Sequence, residues 1–318
     1  MSIEKKKNNM DTNTTQTDMA SVRMKPNKKR DIAEKIIETI FLLCAMVSVI
    51  SVIAIIAFVF WKGLAPFLGE NAYSIKTFIT GTKWDPGNDI FGISYMIIGS
   101  VYATVGAIIF GVPIGILTAV YIAEIAPKSV VKMIKPAIEL LAGIPSVIYG
   151  AFGVGVIVPL VNKISPRPQG ESLLAVISVL TVMILPTIIN LTEASIRAVP
   201  NSYREASLGL GASKTQTIFK AVVPAAKSGI LSATVLGIGR AIGETMAVMM
   251  IAGNPIGGIP MSIFDKIRPL TSNISMEMGY ASGRHQEMLF ATGVVLFIFI
   301  MVVNITLIKI TNKAGEKV

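Results

Sequence analysis

Of 318 residues 52% are apolar and only 15% charged, against about 25% charged in an ordinary soluble domain, and the mean hydropathy is +0.66. The net charge of +10 would suit a nucleic-acid binder, but its distribution, given below, argues against one. One cysteine, Cys44, excludes an internal disulfide and a cysteine metal site; one histidine, His285, in a polar stretch that reads as solvated, leaves metal hydrolysis and Ser-His or Cys-His chemistry without parts.

Residues 1–34 form a polar tail rich in Lys, Asn and Thr, without apolar periodicity, and read as disordered. The apolar run behind them is too long for a secretory signal and has no small-residue cleavage site. From Thr39 to Trp61 there are 23 residues without a charge. As a helix they reach about 34 Å, enough to cross a hydrocarbon core of about 30 Å. Similar runs recur. The expected spans are Ile36–Trp61, Ser94–Ala123, Ala137–Val161, Leu173–Ile196, Ser228–Gly253 and Met288–Leu307. The fold class is therefore an all-α membrane protein with about six transmembrane helices, a transmembrane domain over 35–318 behind the tail.

An even number of spans puts both termini on one side. With that side inside, 20 of the 29 basic residues are cytoplasmic, eight lie outside, and Arg240 alone falls within a span. The basic excess is then the positive-inside pattern of a membrane protein rather than a nucleic-acid surface.

The second span places a small residue at every fourth position: Gly99, Ala103, Ala107, Gly111, Gly115 and Ala119. The fifth repeats this with Gly229, Ala233, Gly237 and Ala241. Such stripes let membrane helices approach closely. Pro113, Pro145 and Pro186 lie inside expected spans and favour kinks.

Arg240 and Glu244 are the charges deepest in a span. Four residues apart, they are expected to share a helix face. A charge at mid-membrane costs about 2.5–3.5 kcal/mol on insertion scales, so both should face protein or an aqueous cavity. A guanidinium suits an oxyanion, and Glu244 could neutralise it when the site is empty. A purely structural salt bridge is the alternative. Glu139 and Glu193 fall near span ends, closer to water.

Between the fourth and fifth spans, 197–227 reads as a loop of two short helices. Ser202 with Glu205, and Ser213 with Gln216, fit capping boxes, and Gly209 and Gly211 supply a stop between them. Such a pair could dock in a partner's groove or lie flat on lipid.

This loop resembles the signature of ABC importer permeases: Glu-Ala-Ala, three residues, Gly, nine residues, then Ile-x-Leu-Pro. The sequence reads Glu205-Ala206-Ser207, Gly211 and Ala221-Val222-Val223-Pro224 at that spacing, with Ser207, Ala221 and Val223 as departures. Two further segments are similar to those of phosphate permeases, and the Met246-Ala-Val248 continuation in the second resembles the PstC type rather than its PstA partner. One is Leu141-Ala-Gly-Ile-Pro-Ser-Val-Ile-Tyr-Gly150; the other is Arg240-Ala-Ile-Gly-Glu-Thr-Met-Ala-Val248 with its continuation to Asn254. The resemblance covers about residues 35–312. It implies the type I ABC importer permease fold and phosphate import. It also implies a PstA-like permease partner, two PstB-like ATPase subunits holding ATP and its magnesium, and an extracytoplasmic phosphate-binding protein. Arg204, Glu205, Ala206 and Gly211 would couple to the ATPase, and Arg240, Glu244 and Thr245 would line the substrate pathway. The segment from Asn254 to Glu287 is a docking surface for the binding protein or an ordinary solvated loop.

No Gly-x-x-x-x-Gly-Lys-Ser/Thr loop is present, so ATP hydrolysis belongs to partners and no cofactor is expected on this chain. A permease for sulfate or molybdate fits the same charges. A secondary transporter or channel lacks a use for the capped loop, and an intramembrane enzyme lacks its catalytic groups.

Overall fold

The structure, a computed structural model, describes residues 28–166 and 170–315. Residues 1–27 of the expected tail lie outside that range. Its remainder, from Lys28, is not tail but the start of a helix. The chain divides into two compact units, Met1–Ala57 and Phe58–Val318. The described part of the first is entirely the opening of α1 (Lys28–Leu64), whose most apolar 18 residues have a mean hydropathy of 3.0.

In the second unit a short helix α2 (Ile75–Thr80) and a two-stranded hairpin, β1 (Trp84–Asp85) and β2 (Ile90–Phe91), precede α3 (Ser94–Val120). A π-helical turn, Tyr121–Ile125, ends α3, and α4 (Lys128–Gly143) follows. The expected third span, Ala137–Val161, is not continuous. Ile144 is extended (φ −70°, ψ 126°), as a residue before proline prefers, so Pro145 stops the helix rather than kinking it. The apolar run restarts as α5 (Ser146–Phe152), a π turn and α6 (Val158–Ile164), together 19 residues. With Lys128, Lys132, Lys135 and Glu139, α4 is too charged to lie within a span.

Helix α7 (Leu173–Arg197) is the axis of the unit, and 61% of its apolar window is buried. Both small-residue stripes pack on it. A Cβ added at Gly111 would meet Ile184 at 2.5 Å and one at Gly115 would meet Ile188 at 2.7 Å. After α8 (Asn201–Gly209), α9 (Lys214–Thr217), a π turn and α10 (Val223–Ala225), the chain bends by 69° into α11 (Lys227–Gly243). There Gly237 approaches the same Ile188, and Gly229 lies against Ser195. The core around α7 joins Val176, Leu180, Met183, Ile184 and Ile188 to Ala103 and Ala107 of α3 and Ala241 of α11.

The expected fifth span, Ser228–Gly253, is also broken. Helix α11 ends at Gly243, and the short α12 (Met246–Ile251) continues after it. Helix α13 (Leu270–Glu277) and the long α14 (Gly283–Gly315) complete the fold. Among the described residues, five helices are long and apolar enough to cross a membrane, six if the bent pair ending in α11 is one span.

At the end of α7 marked by Leu173, whose N–H donates to the Asp265 carbonyl, a second core gathers Phe78, Trp84, Phe91, Tyr95 and Leu270. At the other end, Val120, Ile196, Val199, Ile218 and Val222 form a third under α8. The loop and the two broken helices are thus fixed on one rigid axis.

Candidate functional site

Arg240 lies one turn from the end of α11, opposite the middle of α7. Its Nη1 donates to Thr187 Oγ1 at 3.2 Å. Glu244 does not share its helix face. It is extended (φ −69°, ψ 128°) where α11 stops, and no ion pair joins it to Arg240 among the described residues. Three bonds make this break. The Glu244 carboxylate accepts from the Ala247 N–H at 3.0 Å, its carbonyl accepts from Thr271 Oγ1 at 3.2 Å, and Thr245 Oγ1 donates to the Gly243 carbonyl at 3.2 Å. Together they satisfy groups that a helix end leaves free. The Glu244 charge also sits at the positive end of α12.

The three residues Arg240, Glu244 and Thr245 are half-buried. Beside them, a Cβ added at Gly239 or Gly243 would meet no atom within 4 Å. These two glycines, four apart on α11, therefore form a strip of that helix which the rest of the chain leaves uncovered. Tyr149 closes the neighbouring break by donating to the Leu141 carbonyl at 2.7 Å. A positive group, a carboxylate, hydroxyls and bare backbone thus meet where two helices are interrupted.

In the loop, the second capping box is present: Ser213 accepts from the Gln216 N–H at 3.3 Å, and Gln216 Oε1 accepts from the Ser213 N–H at 2.9 Å. The first is absent. Pro200 precedes α8, which begins at Asn201 without a side-chain cap, so Ser202 is inside the helix. Gly209 ends α8, and Gly211 has φ +82°, a conformation that favours glycine. Glu205 and Ala206 are exposed, as are Leu208 (50%) and Leu210 (90%). Arg204 instead turns into the protein.

Two buried charge groups were not apparent from the sequence. Glu193, expected near water, is buried and pairs with Arg197 at 2.7 Å and Lys135 at 3.3 Å. Glu277 accepts from Trp84 Nε1 at 2.7 Å, contacts His285 Nε2 at 2.7 Å and pairs with buried Arg268. His285 is therefore not solvated. It lies in the first turn of α14, with 17% of its side chain exposed. Part of the 254–287 segment is likewise packed inside: Leu270, Ser272 and Asn273 are fully buried, while Met261 and Ile256 are exposed. Among the described residues, no cluster of three potential metal ligands occurs.

Comparison with known proteins gives a consistent family. Residues 111–314 match the family model described as binding-protein-dependent transport system inner membrane component. A probable ABC transporter permease protein of Bacillus subtilis, YqgH, is 38% identical over 285 residues, covering 87% of this chain and 92% of its own. The phosphate transport system permease protein PstC of Mesorhizobium japonicum is 33% identical, covering 75% of this chain and 76% of its own. PstC of Pasteurella multocida is 31% identical, covering 76% and 82%. Among solved structures, a bacterial ABC transporter involved in the import of the acidic polysaccharide alginate matches with a TM-score of 0.62 at 17% identity, over 88% of this chain and 98% of that one. An inward-facing MetNI methionine ABC transporter matches with a TM-score of 0.55 at 19% identity, over 70% and 97%. At these identities the structures establish the fold, that of a type I ABC importer permease.

Proposed function

Starting from a chain that belongs to the binding-protein-dependent transport system inner membrane component family, we propose that it carries inorganic phosphate through the membrane as the permease of an ATP-driven importer. ATP hydrolysis in such systems is the work of partner subunits. The resemblance to PstC proteins over most of the chain supports phosphate as the cargo.

The observation that carries the reading is Arg240. Its hydrogen-bond partner is a neutral hydroxyl, and the strip at Gly239 and Gly243 leaves room beside it. Phosphate would pass along this strip, with Arg240 donating to it. Thr245 and the freed backbone at the break would replace part of its water. Glu244, its carboxylate tied to the start of α12, would keep that wall from becoming uniformly positive.

The assembly proposed is one such chain, one PstA-like permease, two PstB-like ATPases with ATP and magnesium, and an extracytoplasmic phosphate-binding protein. Both termini and the 197–227 loop lie in the cytoplasm, and residues 35–318 make the permease domain. Glu205, Ala206 and the turn at Gly211 face the ATPase, and Arg204 supports them from behind. The exposed part of 254–287 meets the binding protein.

ATP-dependent uptake of labelled phosphate and sulfate into vesicles holding the assembled complex tests this, for wild type and Arg240→Ala. Phosphate uptake that the intact mutant complex loses is the expected result. Sulfate uptake in place of phosphate would overturn the cargo, and undiminished phosphate uptake by the mutant would overturn the site.

A further inference from the structure

We infer that Glu124 is a positioning residue that fastens the α8 loop to the end of α3, so that a push on the loop moves the membrane helices. The inference rests on the proposed coupling of this loop to an ATPase.

The Arg204 side chain is only 20% exposed and that of Glu124 only 11%. Arg204 Nε and Nη2 donate to Glu124 Oε1 at 3.2 and 2.6 Å across 80 positions of sequence. The same guanidinium caps the end of α7: Nη1 donates to the Val199 carbonyl at 2.7 Å and Nη2 to the Ile196 carbonyl at 3.1 Å. A planar, permanently charged fork can serve all these acceptors at once. Glu124 itself stands in the π-helical turn that closes α3. Extra turns of this kind are often found where function needs a side chain re-aimed.

Tyr203, Leu208 and Leu210 are exposed, an apolar surface left uncovered among the described residues. Arg204, in the same helix as Tyr203 and Leu208, is instead held by α3 and the end of α7. Arg197 Nη2 also reaches this turn, donating to the Ile122 carbonyl at 3.2 Å, but it belongs to α7 and leaves α8 untied. Glu124 is the carboxylate that joins α8 itself to α3. Beyond it, the small stripe of α3 lies on α7, and α7 carries Thr187 and Ile188 against α11. A displacement of α8 therefore has a continuous packed route to Arg240.

Loss of the Glu124 carboxylate leaves Arg204 its two carbonyls, so α8 should stay folded and still dock. What is lost is transmission. The test measures ATP hydrolysis and anion uptake on one preparation of the assembled complex in vesicles, using the anion the wild type imports. For Glu124→Gln, hydrolysis is expected to stay within about twofold of wild type while uptake falls about tenfold, raising the ATP used per anion in proportion, as for loss of one strong charge-assisted pair. Glu124→Asp keeps the charge on a shorter stem and should give an intermediate ratio. A wild-type ratio in Glu124→Gln would overturn the inference, as would an equal fall in hydrolysis and uptake with the complex intact. If Glu124→Gln fails to assemble, Glu124→Asp decides, a raised ratio supporting the inference and an unchanged one overturning it. Sulfate uptake by the wild type would sink the phosphate reading alone.

Discussion

Glu277 shows how much one side chain can organise. Its carboxylate holds Trp84, His285 and Arg268 together, and both it and Arg268 are more than nine-tenths buried. Removing one member of a buried pair leaves the other charge uncompensated, at about 3–5 kcal/mol. Glu277→Leu is therefore expected to lower the stability of the purified protein by that order. The unfolding midpoint in detergent is the measurement, and an unchanged midpoint would refute it. The sequence could not reveal this group. Trp84 and Glu277 are 193 positions apart, and nothing local marks His285 as their neighbour. Arg240, by contrast, was legible, because a lone cation in an apolar run stands out wherever the helix happens to bend.

Among elements, α7 is defined by what leans on it. Ile188 fills the space left by Gly115 on one side and Gly237 on the other. Gly237→Ala would bring its methyl to 2.7 Å from Ile188 Cγ1. Overpacking of this kind costs about 1–3 kcal/mol. Ile188→Val does not by itself remove that clash, but Ile188→Ala clears Cγ1 and opens room. Gly237→Ala should destabilise the wild type yet be nearly neutral, or restoring, in an Ile188→Ala background. A double-mutant cycle on thermal stability checks this, and simple additivity would mean that the helices part instead of clashing. The periodicity of the stripes announced this packing because every fourth residue is a property of the sequence alone. The breaks were not announced in the same way. Pro145 was visible but compatible with either a kink or a stop. At Glu244 no proline marks the interruption; Thr271, Thr245 and Ala247 make it, and the first of these is 27 positions away.

For the whole molecule, the charge asymmetry that gives the proposed orientation can be tested directly. Leu210 is 90% exposed in the loop at one end of α7, and Met261 is 89% exposed near the other. In a Cys44→Ser background, a membrane-impermeant thiol reagent should label Met261→Cys in intact cells and Leu210→Cys only after the membrane is opened. The reverse pattern would invert the topology. Partner ATPases should also shield Leu210→Cys in the assembled complex.

The interruption of α11 at Gly243 has a further consequence for insulation. A membrane-spanning helix keeps its own backbone dry, and one that stops midway leaves carbonyl and amide groups that require other partners. Thr245, Thr271 and the Glu244 carboxylate supply several, but Gly239 and Gly243 stand beside open space. Irregular backbone is not tolerated against lipid tails, so the break marks this side of α11 as one that must be covered by protein or water rather than by lipid.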